Sequence, residues 1–173
     1  QWEGDHHYVG RANFEREGKR IAIVEFVKTS LLSVALVIAA FIVFFKNPTS
    51  IGFSLITMLV ALAFFTGMLG LFQVDIDPIS ALYPVIILIV GVSDVIHITS
   101  KYITEVKSGK AKGEAIESTL RSIGLATFLT SATTAIGFCS LFTSKVVPIR
   151  IFGLAAAVGI MITFLVVIFL TLA

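Results

Sequence analysis

Charge is what this chain has least of. Only 14% of its 173 residues are Asp, Glu, Lys or Arg, and 57% are hydrophobic. Soluble domains carry about 25% charged and 45–50% apolar residues, so a water-soluble globular domain is excluded. The net charge is +2, spread over all the polar segments, which leaves no basic face for nucleic acid. There is one cysteine, Cys139, inside an apolar run. That excludes a disulfide framework and a cysteine-based metal site. No hydroxyl or thiol falls into a nucleophile–base–orienter set, so neither enzymatic catalysis nor a cofactor is expected. A cleavable signal pattern is also missing. The chain starts with Gln1 and stops inside the apolar run LVVIFLTLA, so both ends are expected to be cuts in a longer protein.

What is present is a series of five apolar runs, separated by breaks that carry Pro, Gly or charge. The breaks are KNPTS at 46–50, QVDIDP at 73–78, the polar stretch 100–122 around KSGKAKGE, and TSKVVPIR at 143–150. Spans are predicted at about 24–46, 50–72, 79–105, 122–143 and 148–173. Each holds roughly 20 apolar residues, enough to cross about 30 Å of hydrocarbon. Backbone groups in lipid must be satisfied within the segment, which enforces helices. The expected fold is all-α: a polytopic membrane helix bundle of five transmembrane helices plus a short amphipathic surface helix at 114–121. Residues 1–20 are assigned to an extracytoplasmic segment and 21–173 to the bundle.

Within the polar segment, Tyr8-Val9-Gly10 ends a strand. His6 and His7 are adjacent, so their side chains do not converge on a metal and read as a solvated turn. From Asn13 a helical pattern of Phe14, Glu17, Ile21, Val24 and Lys28 leads into the first span. Ser50 is expected to cap the second span. Asp75 and Asp77 read as a solvated turn, or as carboxylates that attract cations.

The third span carries the candidate chemistry. Asp94 lies toward its polar end, and a carboxylate inside a membrane costs about 2.5–3.5 kcal/mol on insertion scales. It is therefore either a proton-binding group facing a water path or a polar cap between packed helices. Gly91, Asp94 and His97 share one helix face; His97 could relay a proton, or be an interfacial histidine with no special role. On the fourth span, Thr130, Thr133, Thr134 and Gly137 form a stripe. Their hydroxyls bond their own backbone, or the stripe is a packing face that meets Asp94. Gly137, Gly91, and Gly153 with Ala156, Ala157 and Gly159 on the fifth span are expected to permit close helix packing.

Charge alone does not orient the bundle. About seven basic groups fall on the side of the N-terminal segment and about six on the other; only the short Lys-rich loop at 100–122 argues for a cytoplasmic position. The run of GVSDVIHITSKY, a basic loop, LTSATTAIGF and PIRIFGLAAAVGI resembles the resistance-nodulation-division transporter superfamily. Within it, the chain is similar to the mycobacterial-membrane-protein-large type, related to Patched, Dispatched and sterol-sensing domains. The resemblance covers nearly the whole chain. It implies the end of an extracytoplasmic porter domain followed by the second to sixth spans of one half, with residues 1–28 outside and 100–122 inside. Family members carry an acidic pair, or Asp followed by Tyr, in this span; here the two positions hold Ser93 and Asp94.

The resulting expectation is a proton-driven exporter of hydrophobic or lipid-like molecules in the bacterial inner membrane. Its proton relay would comprise Asp94, His97, Thr130, Thr133 and Thr134, and its partners would be membrane lipids, the second half of the same transporter and oligomer partners. The alternatives are a sterol-sensing-type lipid sensor and a protein-translocation auxiliary.

Overall fold

The computed structural model describes residues 11–45, 47–75 and 77–172. His6, His7 and the strand end at Tyr8-Val9-Gly10 lie outside the described residues. Among the described residues six α-helices follow one another: α1 (Arg11–Phe44), α2 (Pro48–Leu71), α3 (Tyr83–Lys107), α4 (Lys112–Thr119), α5 (Leu125–Cys139) and α6 (Val147–Leu172). A 3-10 turn, Pro78–Leu82, leads into α3, and a π-helical turn, Leu120–Gly124, joins α4 to α5. Five stretches are long and apolar enough to cross a membrane: Glu17–Phe44, Pro48–Leu71, Pro78–Lys107, Lys112–Thr143 and Val147–Thr171. No strand occurs among the described residues. The chain is a multi-pass membrane bundle.

The breaks follow from local chemistry. Asn47, not Ser50, caps α2: its side chain accepts the Thr49 N–H at 3.2 Å, and Pro48 takes the first helical position. Proline fits there because it has no N–H to leave unsatisfied. Asp77 accepts the Ser80 N–H at 2.9 Å while the Ser80 hydroxyl accepts the Asp77 N–H at 3.1 Å, a reciprocal cap ahead of α3. Asp75 pairs with Lys19 of α1 at 2.9 Å, both side chains exposed. α3 ends at Lys107, and two residues on, Gly109 turns the chain with a φ of 90°, open to glycine at little steric cost.

The expected surface helix forms, but as the first turns of a longer rod rather than as a separate element. Its Ala115 and Thr119 are fully buried, and α4 packs along α3. A stripe runs down the rod at steps of four: Ala115, Thr119, Ile123, Thr127, Ser131 and Ala135. All are buried except Ile123, which is half-buried. A regular helix of 3.6 residues per turn would swing such a stripe by about 40° per step. The wider π turn in its middle absorbs part of that drift, so one face stays against the bundle.

α6 is the central helix, packed on α2, α3 and α5. Its small residues permit this. A Cβ added at Gly159 would lie 2.5 Å from the Phe65 ring, and one at Gly153 would lie 2.5 Å from the Phe138 carbonyl oxygen. Toward the end where α3 begins, Tyr83 stacks on Phe152 at 5.0 Å and meets Phe65 edge-on at 5.2 Å. Toward the other end, Phe41, Phe45, Met58, Leu88, Ile98 and Val167 form a second apolar cluster. The polar centre lies on α3 among these layers.

Candidate functional site

α3 fixes the site by where it starts and stops. Asp94 lies eleven residues after the first residue of α3 and thirteen before its last, Lys107, so it is near the middle of the helix and toward the polar end of its apolar run. The helix continues past the apolar run because Lys101 and Glu105, four residues apart, pair at 2.7 Å and support another turn. His97, one turn beyond Asp94, is accordingly about 15 Å short of the helix end.

One turn before the carboxylate, Gly91 draws three helices together. A Cβ there would lie 2.8 Å from Cγ2 of Thr163 on α6 and 2.9 Å from Cε and Sδ of Met58 on α2. Ala157 is buried in the apolar cluster further along α6. Asp94 itself is 2% exposed, and its Oδ2 accepts the hydroxyl of Ser131 at 2.9 Å. Ser131 is fully buried. Among the described residues Asp94 has no ion-pair partner. Beside it opens a cavity of about 170 Å³, lined by Ser93, Asp94, His97, Ile123, Ala126, Thr127 and Thr130. Ser93 and His97 are exposed at its rim.

The threonine stripe divides. Thr130 lines the cavity, though its hydroxyl donates to the Ala126 carbonyl at 3.0 Å. Thr133 and Thr134 turn away: Thr133 donates to Leu129 and Thr130 carbonyls, and Thr134 donates to the Thr130 carbonyl at 2.7 Å. Nothing approaches within 4 Å of a Cβ built at Gly137, so it packs against no described residue. The hydroxyl that reaches Asp94 belongs to Ser131, a residue not singled out in the sequence. The four-residue spacing of small and hydroxyl side chains from Ala115 to Ala135 was the signal that marks it.

The arrangement can hold one proton. A carboxylate in an apolar helix, with a single neutral hydrogen-bond donor and no cation among the described residues, is costly when charged, and when protonated its O–H can be accepted by the Ser131 oxygen. The adjoining cavity has an imidazole at its rim. Among the described residues no three His, Cys, Asp or Glu side chains cluster as metal ligands.

Residues 44–173 match the family described as the sterol-sensing domain of SREBP cleavage-activation. A membrane protein of Methanocaldococcus jannaschii is 31% identical over 131 residues, which is 76% of this chain and 33% of that protein. The chain thus spans about a third of the length of this relative. No solved structure matches significantly. With a family match that covers the bundle from the end of α1 through α6, the chain belongs to the sterol-sensing domain family.

Proposed function

We propose that this bundle is part of a membrane transporter that moves hydrophobic or lipid-like molecules at the expense of a proton gradient, with Asp94 as the proton-binding group and no enzymatic step. The observation that carries this reading is the uncompensated carboxylate: Asp94 is 2% exposed, bonded to the Ser131 hydroxyl and bordered by a polar cavity. Its protonation changes the charge between α3 and α5, and such a change biases a bundle between two packings. One charge crossing 100 mV is worth about 2.3 kcal/mol, enough to shift that equilibrium substantially.

The exposed side of the site supports a missing neighbour. Ser93, His97, Thr130 and Thr133 are all exposed on the two adjoining helices, a polar face that lipid tails would not solvate. A second half of the same transporter is the occupant this reading assigns to it. In the same reading, the end of the bundle carrying the 100–122 loop is cytoplasmic.

A second reading, a lipid sensor without transport, is favoured by one observation. Ser33, Leu36, Val37 and Ala40 of α1 face Val85, Leu88, Ile89 and Val92 of α3 across a groove of about 250 Å³. An apolar groove of this kind takes a lipid whether or not it is then moved.

The test uses the full-length protein in proteoliposomes with a trapped pH indicator and a fluorescent phospholipid. An imposed pH gradient should drive lipid movement by the wild type. Asp94→Asn should insert and fold yet move no more lipid than protein-free vesicles. Full activity in the Asn variant would remove the proton-site reading and leave the sensor.

A further inference from the structure

Helical threonines in this bundle bond their own backbone as a rule. Thr57, Thr66, Thr104, Thr119, Thr127, Thr130, Thr133, Thr134 and Thr163 all donate to a carbonyl one turn earlier. Thr99 and Thr171 do not. Among the described residues their buried hydroxyl oxygens have no partner, and Thr99 is 7% exposed. Leaving a buried hydroxyl unpaired is costly, and both line the same cleft.

That cleft, about 310 Å³, lies at the end of the bundle where α2 and α4 begin and α3 and α6 finish. Thr49 and Ser50 bring the N-terminus of the 24-residue α2 to its wall, where the helix dipole favours an anion. Lys112 and Tyr102 add an ammonium and a phenol, and Phe53 and Ile103 supply apolar walls. Hydroxyls, a helix N-terminus and a cation on one side of an apolar cleft match a phosphoanion attached to a lipid chain. Caps and lysines place this end of the bundle at the boundary of the membrane, the depth of a phospholipid head group.

We propose that this cleft binds the phosphate of a membrane phospholipid head group, with Thr99 and Thr171 donating their hydroxyls, the α2 N-terminus contributing its dipole and Lys112 its charge. The site lies further along α3 than the Asp94 cavity and shares no lining residue with it. It needs only that the chain crosses a membrane, so it stands or falls independently of proton coupling.

The experiment follows thermal unfolding and native mass spectrometry of the full-length protein in detergent, titrated with phosphatidylglycerol, with diacylglycerol of the same chains, and with inorganic phosphate. Phosphatidylglycerol should bind and raise Tm, and diacylglycerol should not. Thr99→Val, close in shape but without the hydroxyl, should raise Tm slightly in the absence of lipid and weaken phosphatidylglycerol binding by about tenfold, the effect of losing one hydrogen bond to a charged group. Lys112→Gln should weaken binding similarly. If inorganic phosphate reproduces the shift with the same dependence on Thr99 and Lys112, the phosphoanion site holds and its source is the solution. A shift that diacylglycerol also produces, or that both variants retain in full, would overturn the proposal.

Discussion

Asp94 and Glu105 stand on one face of α3, eleven residues or about three turns apart, and both are buried, at 2% and 8% exposure. Glu105 is held by Lys101 at 2.7 Å and Lys110 at 2.5 Å, and Lys110 continues to the Ser118 hydroxyl at 2.9 Å. It therefore ties α3 to the start of the α4–α5 rod with its charge neutralised. Asp94 ties the same two elements through Ser131 alone, with its charge unanswered. Burial by itself does not distinguish a structural carboxylate from a functional one. The neighbours do: a paired group gains little from protonation, whereas an unpaired one in a membrane is the group that protonation relieves.

Exchanging the amides for the two carboxylates should break this comparison most visibly. Asp94→Asn should abolish gradient-driven activity and leave thermal unfolding in detergent near that of the wild type, since Asn keeps the size and a hydrogen bond to Ser131. Glu105→Gln should do the reverse, lowering Tm by orphaning two lysines while retaining coupling. The opposite pattern, with Glu105→Gln silent in unfolding and inactive in transport, would assign the proton to the wrong residue.

Gly91→Ala comes next, because the close approach at Gly91 brings α2 and α6 to the carboxylate. The added methyl would meet Thr163 at 2.8 Å and Met58 at 2.9 Å. Overpacking of this kind costs about 1–3 kcal/mol, with the flexible end of Met58 giving way more readily than Thr163. Reversible unfolding of the variant gives the number, and a cost near zero would mean that the three helices are looser than described.

Ser131→Ala should cost about 1 kcal/mol, in the range of hydrogen bonds between membrane helices, and reduce activity without abolishing it. Ser131→Thr should restore most of the loss by keeping the hydroxyl. Thr133→Val and Thr134→Val should have the smallest effects, within about 0.5 kcal/mol, because their hydroxyls bond only their own helix. If either weakened coupling more than Ser131→Ala, the open stripe of α5 and not the buried one would serve the carboxylate.

The spans were legible because the stops are local. Pro48 with Asn47, Pro78 with Asp77, and Gly109 each end or begin a helix by chemistry confined to a few residues. Asp94 was legible for the same reason, as a carboxylate in an apolar run. Ser131 was not singled out, because two stripes on α5 are offered by the same helical spacing and only the packing against α3 shows which one reaches the carboxylate. Thr130, Thr133, Thr134 and Gly137 form one stripe of α5 and Thr127, Ser131 and Ala135 another, and it is the second that is buried. α3 runs on through Lys101 and Glu105, a pair that keeps a polar segment helical beyond the apolar run, so Asp94 is mid-helix while lying toward the polar end of that run. The cleft at Thr99 and Thr171 joins residues 72 positions apart, a proximity that only the packing of α3 on α6 creates.

The central claim is that Asp94 changes its protonation state. Infrared difference spectroscopy of the reconstituted full-length protein between acidic and neutral pH reads it directly. A protonated-carboxyl carbonyl band should appear on acidification, persist in Glu105→Gln and be absent in Asp94→Asn. Identical difference spectra for the wild type and Asp94→Asn would contradict the account.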